Sequence, residues 1–428
     1  MKKEIKNKQE KGITLIALVV TIVVLLILAG VSISLVLNNN GVISKTKEAR
    51  DKYAEAQTND EKQLNEVSDW IKETVGDTNL PATTKPYMPG DTFTVVAGTT
   101  LDNGLTIQDA AKNGNEYVWV EVPMTTEVYP TAGLNITKFT TDEYTKIEAD
   151  LHTYTMPYRK GKNTTETDFK DEWYADLDNN WYTSEQYTAQ KQKMLKSVYQ
   201  NGGFWVAKYE AGLTEENKRT DETPAPTIAP QSKQNLIPYT WVTRTQAKKL
   251  AEMVQYTNNG TTYTGSLMFG VQWDLVLKFI ETKKIKTVSD IETKLNSDSK
   301  DIGNYYNATF TINRGKYAKY KALTTWYNYT DNLEGIVSGS VKSAQSSNEN
   351  GILLTTGAVD QNSLMNIYDL AGNVEEWTLE SATFFDDPCA YRGGCYCSYG
   401  SSSPASGRNY GVNTIFSNNM FGFRLSLY

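Results

Sequence analysis

The side chains that most often carry enzymatic chemistry are scarce in this sequence. His152 is the single histidine, and the three cysteines, Cys389, Cys395 and Cys397, all lie near the C-terminal end. A Ser-His-Asp triad, a Cys-His dyad or a histidine-rich metal centre would each have to use His152. The cysteines show neither a CxxC pair nor a zinc-type spacing. Most hydrolase classes are therefore disfavoured, and one local bridge from Cys389 to Cys395 or Cys397 is an alternative to free thiols.

Length, composition and charge narrow the class of protein further. The chain has 428 residues, of which 39% are hydrophobic and 22% are charged. Such a chain is predicted to be folded and to comprise two or three units. Its formal net charge of -7 provides no basic stripe that could neutralise phosphates. We therefore predict no nucleic-acid partner.

The N-terminal region predicts a membrane anchor. Residues 1–12 are rich in lysine, and the segment 13–37 that follows contains no charged side chain. About 20 apolar residues span a bilayer as a helix, so this segment is long enough. The lysines before it favour a cytoplasmic N-terminus. The expected localisation is the bacterial cell membrane, with a single pass and the C-terminal domain outside the cell.

The junction between the basic and apolar segments reads Lys11-Gly12-Ile13-Thr14-Leu15-Ile16. It resembles the leader of type IV prepilins, and the resemblance implies cleavage between Gly12 and Ile13 by a prepilin peptidase. It also implies other pilins as partners. Ala17 departs from the family, which usually has a glutamate at this position. The departure leaves a minor pilin, a tip subunit or a simple membrane anchor as alternatives.

The remainder of the chain is predicted to consist of a stalk, a linker and one large domain. Residues 38–75 contain apolar side chains at three- and four-residue steps, which predicts an amphipathic stalk helix. Residues 76–90 contain the prolines and glycines of a linker. Residues 91–428 are predicted to form an α+β domain with long polar, irregular insertions at 135–200 and 283–350. The predicted strands are Phe93–Val96, Tyr117–Val122 and Phe204–Tyr209, and the predicted helices are Arg244–Gln255 and Trp273–Thr282.

Several motifs occur in a fixed order within this domain. They are Gly114–Val120, Gly203–Glu210, Thr243–Ala247, Gln272–Asp274, Asp369–Thr378, Arg392–Gly394 and Gly422–Arg424. The ordered set resembles the formylglycine-generating enzymes, or sulfatase-modifying factor domains. That resemblance implies a C-type-lectin-like core over residues 91–428. The predicted fold class is therefore α+β, with an N-terminal transmembrane, pilin-like helix followed by a C-type-lectin-like domain of the formylglycine-generating type.

The same resemblance argues against the family's catalysis. Enzymes of this family hold copper with two cysteines, and those positions fall on Ser398 and Ser403 here. Cys395 and Cys397 lie nearby but out of register. We therefore predict that the chain is not an enzyme and has no redox cofactor. An oxidase that uses Cys395 and Cys397 is the rival hypothesis.

A structural calcium site is a further implication of the resemblance. Carried over by position, Asp369 and Glu376 would provide side-chain oxygens, and Gly372 and Val374 would provide backbone carbonyls. Calcium is a hard cation that prefers oxygen ligands. The alternative is a structural turn in which Asn373 hydrogen-bonds the backbone.

Residues 395–419 have the composition of a binding surface. Serine, asparagine, tyrosine, glycine and cysteine make up 18 of these 25 residues, and Arg408 is the only charged one. Antibody contact loops have a similar composition, since tyrosine supplies stiff contact area and the small polar residues supply hydrogen bonds. The predicted ligand contacts are Tyr396, Cys397, Ser398, Tyr399, Ser401, Ser402, Asn409, Tyr410, Asn413, Ser417, Asn418 and Asn419.

This C-terminal segment also resembles the variable region of proteins diversified by retroelements, which use a lectin-like fold. The predicted function is that of a pilin-like, membrane-anchored display protein. Its ligand would be a protein or glycan on another cell, a phage or a host. The rivals are the oxidase named above and a minor pilin that caps a filament without binding a ligand.

Overall fold

The computed structural model describes residues 84–159, 168–176, 180–284, 290–383, 388–410 and 412–428. The chain divides into two units, Met1–Gln63 and Leu64–Tyr428, and all described residues belong to the second. The predicted leader cleavage at Gly12 and Ile13, the apolar segment 13–37 and the stalk 38–75 lie outside the described residues.

The predicted fold class requires correction. In the part of the chain that the structure describes, no helix is both long and apolar enough to cross a membrane. The most hydrophobic of the long described helices has 15 residues, fewer than the roughly 20 needed to span a bilayer. Many short strands and a few helices form a mixed α/β fold instead. The predicted localisation as a single-pass membrane protein is likewise not supported by any described helix, and the segment 13–37 on which it rests lies outside the described residues.

The helices and strands of the described residues are as follows. The α-helices are α1 (Thr141–Tyr154), α2 (Met156–Arg159), α3 (Ser184–Asn201), α4 (Arg244–Glu252), α5 (Gly270–Lys284) and α6 (Ile291–Asn296). The strands are β1 (Thr94–Val95), β2 (Thr106–Gln108), β3 (Glu116–Glu121), β4 (Phe169–Lys170), β5 (Gly203–Ala207), β6 (Gly212–Leu213), β7 (Ile237–Pro238), β8 (Gln255–Asn258), β9 (Thr261–Thr264), β10 (Phe310–Thr311), β11 (Lys316–Lys319), β12 (Tyr327–Asn328), β13 (Val337–Ser338), β14 (Val341–Lys342), β15 (Ile352–Leu354), β16 (Ser363–Leu364), β17 (Ile367–Tyr368), β18 (Glu375–Ala382), β19 (Cys389–Arg392), β20 (Arg408–Asn409), β21 (Phe421–Phe423) and β22 (Ser426–Leu427).

One antiparallel sheet joins the two ends of the described domain. Its strand order is β1-β2-β3-β5-β22. The central pair, β3 and β5, places Trp119 opposite Trp205, and the two indole rings meet edge to face at 5.0 Å. Both rings are almost completely buried, so this pair lies in the main core. The strands predicted around Phe93–Val96, Tyr117–Val122 and Phe204–Tyr209 are confirmed, with ends that differ by one or two residues.

A second sheet carries the C-terminal segment. Strands β20, β19, β18 and β21 lie in that order, and β4 also pairs with β18. Strand β18 is buried along its whole length although it contains Glu375, Glu376 and Glu380. Because a buried carboxylate needs partners, this strand must face basic or hydrogen-bond-donating groups, and it organises the candidate site.

Three helices, α1, the short α2 and α3, occupy the segment 135–200, where the sequence predicted irregular structure. Helices α1 and α3 begin at Thr140 and Thr183, and each begins with a capping box, completed by Glu143 and Gln186 respectively. The helix predicted over Arg244–Gln255 is confirmed as α4, although it ends at Glu252. The helix predicted over Trp273–Thr282 is confirmed as α5, which begins three residues earlier.

Candidate binding surface and the framework beneath it

Arg408, in the middle of the C-terminal segment, is locked into a buried ionic network. Its Nε lies 2.9 Å from Glu380 Oε1, and its Nη2 contacts Asp274 Oδ2. Arg392 Nη2 lies 2.7 Å from Asp274 Oδ1. All four side chains are at most 1% exposed, and the two positive charges balance the two negative ones. The network therefore ties the segment to β18, β19 and α5.

Neutral hydrogen bonds fix the residues just before Arg408. Tyr305 Oη lies 2.8 Å from the carbonyl oxygens of both Gly393 and Ser403. Trp273 Nε1 donates to the carbonyl of Ala405 at 2.9 Å. The Ala405 amide in turn donates to Ser299 Oγ at 2.8 Å. The backbone from Ser403 to Ala405 is thus held from several sides.

A buried lysine holds the loop that supports the next part of the surface. Lys342 Nζ lies 2.6 Å, 2.7 Å and 2.8 Å from the carbonyl oxygens of Tyr305, Tyr306 and Ala308. These three contacts use all three donors of the ammonium group. The ring of Tyr306 packs on that of Tyr399 at 4.6 Å between centroids. Lys342 therefore supports Tyr399 indirectly.

The predicted ligand contacts divide by exposure into three groups. Tyr399, Ser402, Tyr410 and Asn413 are exposed, and we refer to these four residues as the tail surface. The residues of intermediate exposure are Cys397, Ser398, Ser401, Asn409, Ser417 and Asn418. Tyr396 and Asn419 are buried.

The prediction that Tyr396 and Asn419 contact a ligand is corrected by their burial. Tyr396 is 0% exposed, and its hydroxyl accepts a hydrogen bond of 3.0 Å from Asn419 Nδ2. Its backbone amide donates to the carbonyl of Asn373. Both side chains are therefore supports of the surface and not part of it. Composition could not separate these two residues from the others, because tyrosine and asparagine occur both in cores and in contact loops.

The cysteines are free thiols. Cys395 Sγ and Cys397 Sγ lie 2.7 Å apart, and Cys397 Sγ is 3.0 Å from Met420 Sδ. Cys389 has Tyr174 Oη as a neighbour at 3.2 Å, so the bridge from Cys389 to Cys395 or Cys397 is not formed. Burial raises the pKa of the Cys395 thiol well above its usual value. A thiolate nucleophile is therefore disfavoured at Cys395.

The predicted calcium ligands lie in a loop with buried hydrogen bonds. Both carboxylate oxygens of Glu376 accept hydrogen bonds from Arg424, at 2.7–3.1 Å. Asp369 Oδ2 accepts from the Gly357 amide at 2.7 Å, whereas Asp369 Oδ1 is buried without a hydrogen-bond partner. A cation that bound Glu376 would have to compete with Arg424. The calcium site stays a prediction.

The centre of this loop is Asn373. Its side-chain carbonyl accepts from the Leu354 amide at 3.0 Å and from Asn304 Nδ2 at 2.9 Å. Its amide group donates to Glu210 Oε2 at 2.6 Å. These are the backbone and side-chain contacts that the structural-turn alternative requires.

Gly372 has φ +73° and lies so close to Asn304 that a Cβ would be 2.2 Å from the Asn304 carbonyl oxygen. Glycine is therefore required at this position, and the predicted carbonyl ligands Gly372 and Val374 sit on either side of Asn373.

The framework residues Asp274, Tyr305, Lys342 and Glu380 were not predicted as part of the site. Asp274 lies within the motif Gln272–Asp274, which is part of the resemblance to formylglycine-generating enzymes. That motif could have indicated a role for Asp274 in the framework. Lys342 and Tyr305 lie in the segment 283–350, which was predicted to be a polar, irregular insertion. Their roles depend on contacts across long sequence separations, 36 residues for the Lys342–Tyr306 contact and 98 for Tyr305–Ser403.

Comparisons with known proteins give weak similarities only. No family model and no curated protein matches the chain. A crystal structure of CarF is 13% identical and covers 52% of this chain and 85% of its own, with a TM-score of 0.31. Treponema denticola variable protein 1 is 13% identical and covers 53% of this chain and 84% of its own, with a TM-score of 0.27.

One of these similar structures is thus a variable protein, which loosely fits the predicted resemblance to variable proteins. At TM-scores this low, neither likeness carries an argument about fold or function. The predicted resemblances to prepilins and to formylglycine-generating enzymes are not confirmed by these comparisons.

Proposed function

We propose that this domain is a binding module that recognises a protein or glycan ligand through the tail surface. One observation carries the proposal. Within residues 395–419, exposed tyrosine, serine and asparagine side chains alternate with residues that are locked into the core. Tyr399 and Tyr410 are 43% and 38% exposed, whereas Tyr396, Ala405 and Arg408 are at most 3% exposed.

Such an arrangement favours binding for an energetic reason. Ordering a contact side chain on binding costs about 0.5–1.5 kcal/mol, and a surface that is already ordered avoids much of that cost. Tyrosine adds large amphipathic contact area with only two rotatable bonds. Tyr399 is held by its contact with Tyr306, and the ring of Tyr410 lies 5.9 Å from that of Phe169. Both tyrosines are thus positioned before a ligand arrives.

Residues 395–419 are called the tail below. We also propose that the exposed positions of the tail are diversified, as in proteins acted on by retroelements. Substitution at an exposed position changes what the surface recognises and leaves the buried contacts intact. The ionic network of Arg408 and the hydrogen bonds of Tyr305 and Trp273 supply the constant framework that such diversification needs.

An enzymatic role is not part of the proposal. Cys395 is buried with a raised pKa, and the positions that resemble the family's copper ligands are Ser398 and Ser403. The proximity of Cys395 and Cys397 is the one feature that favours the rival oxidase. Copper-dependent oxygen consumption with a cysteine-containing peptide would support that rival.

Replacement of both tyrosines of the tail surface by alanine tests the binding proposal. We expect Tyr399→Ala/Tyr410→Ala to weaken binding at least tenfold, because each large exposed ring supplies contact area. The melting temperature should shift by less than about 3 °C, since surface substitutions usually cost less than about 0.5 kcal/mol. The full chain is screened on glycan and cell-surface protein arrays, and the affinity for any hit is then measured by calorimetry.

The matched control is Tyr396→Phe. It removes only the hydroxyl that accepts from Asn419 beneath the surface and leaves both exposed rings in place, so affinity should fall much less than in the double variant. Array screens without a hit, or a hit whose affinity survives the double substitution, would exclude the tail surface as the binding site. A large loss of melting temperature in the double variant would instead make the two tyrosines structural.

A further inference from the structure

Three side chains with metal-binding chemistry meet on the side of the domain that carries Phe169. Glu148 and His152 are four residues apart on α1, so they lie one turn apart on the same face of the helix. Asp171 follows directly after β4. One donor atom from each of the three side chains lies within 4.8 Å of the other two.

His152 is the member of this cluster whose hydrogen-bonding capacity is unused. Its Nε2 is buried and has no hydrogen-bond partner. A buried polar atom without a partner costs free energy, and such an atom in a native protein calls for an explanation. A neutral imidazole nitrogen has a lone pair available for a metal ion.

The two carboxylates have contacts that orient them without using all their lone pairs. Asp171 Oδ1 and Oδ2 accept from the amides of Gly270 and Val271, at 2.7 Å and 3.0 Å. Each oxygen therefore has a lone pair left. Glu148 Oε1 lies 3.0 Å from Lys191 Nζ. Lys191 and the nearby Arg159 partly offset the two negative charges in the absence of a metal.

We propose that Glu148, His152 and Asp171 bind a divalent transition-metal ion of the Zn²⁺ type. Zn²⁺ accepts mixed imidazole and carboxylate ligands at about 2.0–2.2 Å. Ca²⁺ and Mg²⁺ take oxygen ligands almost exclusively, so the imidazole selects against them. Three protein ligands leave a fourth position for water. Small side-chain rotations would bring the donors from their separations of up to 4.8 Å to the roughly 3.4 Å that a tetrahedral ion requires.

An ion at this position would connect elements that are distant in the sequence. It would join α1 to Asp171, which directly follows β4. The Asp171 carboxylate also accepts hydrogen bonds from the first two amides of α5. Strand β4 pairs with β18, and its Phe169 packs on Tyr410. We assign the ion no contact with the ligand of the tail surface, because none of its own ligands belongs to that surface.

The single histidine makes a site-specific test available. The full chain is labelled with carbon-13 at the histidine Cε1, freed of metal with a chelator and titrated with Zn²⁺ alone. We expect the one histidine signal to shift and to reach a plateau at one equivalent of Zn²⁺. In Glu148→Gln, which removes a charged ligand at a partly exposed position, the Zn²⁺ affinity should fall at least tenfold.

Cys397→Ser is the matched control, because the thiols are other groups of this chain that attract Zn²⁺. The histidine signal of this variant should respond to Zn²⁺ as in the unmodified protein. The melting temperatures of both variants are measured without metal to verify that they fold. A histidine signal that does not respond to Zn²⁺ overturns the proposal, as does a folded Glu148→Gln variant that binds Zn²⁺ as tightly as the unmodified protein.

Discussion

Lys342 is an unusual residue in this protein. Its ammonium group contacts three backbone carbonyls, and no carboxylate is among its partners in the described residues. Its side chain is completely buried, and it donates to Tyr305, Tyr306 and Ala308. The ammonium thus satisfies carbonyls of a loop that forms no helix or strand. Burial alone lowers the pKa of Lys342, while the three short contacts favour the charged form.

At the residue scale, Lys342→Met should destabilise the domain markedly. The methionine fills a similar volume but removes the ammonium donor from three buried carbonyls, of which those of Tyr305 and Tyr306 keep one backbone donor each, the amides of Ala308 and Gln345. Each hydrogen bond from a charged donor typically contributes about 1.5–3 kcal/mol. We expect a loss of roughly 3 kcal/mol or more in the free energy of unfolding, measured by urea denaturation. The control Lys146→Met replaces a partly exposed lysine on α1, whose ion pair with Asp142 contributes little, and should leave the denaturation midpoint nearly unchanged. Equal midpoints for the two variants would mean that the carbonyl contacts contribute nothing.

At the scale of elements, β18 and the C-terminal segment form one unit. Glu380 of β18 contacts both Arg392 and Arg408, and Glu376 pairs with Arg424. Removing one member of a buried ion pair leaves an uncompensated charge, which typically lowers the free energy of unfolding by about 3–5 kcal/mol. The arginines of this unit are therefore constrained by folding, whereas the residues of the tail surface are not.

The different constraints on these two groups of positions lead to a prediction about natural variation. In deep sequencing of the 3′ end of the gene within one growing population, substitutions should concentrate at the codons of Tyr399, Ser402, Tyr410 and Asn413. The codon of Arg408, which lies between them, should stay constant because its side chain is buried in the network. Substitutions spread evenly over the chain, or none in the tail, would contradict diversification and leave a binding site for one fixed ligand.

Sequence patterns predicted the elements with strong apolar signals and missed those without them. Strand β3 and helix α5 are rich in buried apolar residues, and both were predicted. Helices α1 and α3 are polar, so the search for apolar periodicity passed over them. Their capping boxes, with Thr140 and Glu143 in one and Thr183 and Gln186 in the other, were visible in the sequence and could have indicated both starts.

The candidate site was predictable only in outline. Amino-acid composition located the tail in the sequence. Only the structure showed that Tyr399 and Tyr410 are exposed whereas Tyr396 is buried, because the same residue type serves as a surface residue and as a core residue there. The exposed positions follow from the paths of β19, β20 and β21, which no local pattern encodes. The cluster of Glu148, His152 and Asp171 required the tertiary structure as well, although the four-residue spacing of the first two was a readable hint.

At the scale of the whole molecule, tyrosine is a major component of the core. Burial raises the pKa of Tyr239 and of Tyr317 to about 12, and it raises that of Tyr117, Tyr187 and Tyr305 well above the ordinary value. The unfolded chain ionises its tyrosines near pH 10. The folded state has the higher pKa, so the stability contributed by these groups is complete below about pH 10 and is lost as the pH rises through about 12.

An alkaline titration of the full chain tests this prediction. The tyrosinate absorbance should increase in two stages, the first from exposed tyrosines and the second together with unfolding, seen by circular dichroism. In denaturant, all 27 tyrosines should ionise in one stage near pH 10. A native protein that ionises every tyrosine near pH 10 without losing its structure would show that burial does not shift these groups.

The position of the tail in the order of synthesis has a consequence for quality control. Strands β21 and β22 follow the tail in the chain, and they pair with β18 and β5, in the two largest sheets. A ribosome must therefore translate the whole tail before either sheet can be completed. A frameshift or stop codon introduced into the tail removes both pairing strands, together with Arg424. Such a chain lacks the partners of β18 and β5 and is expected to be degraded, so only tails that keep the reading frame reach a folded protein.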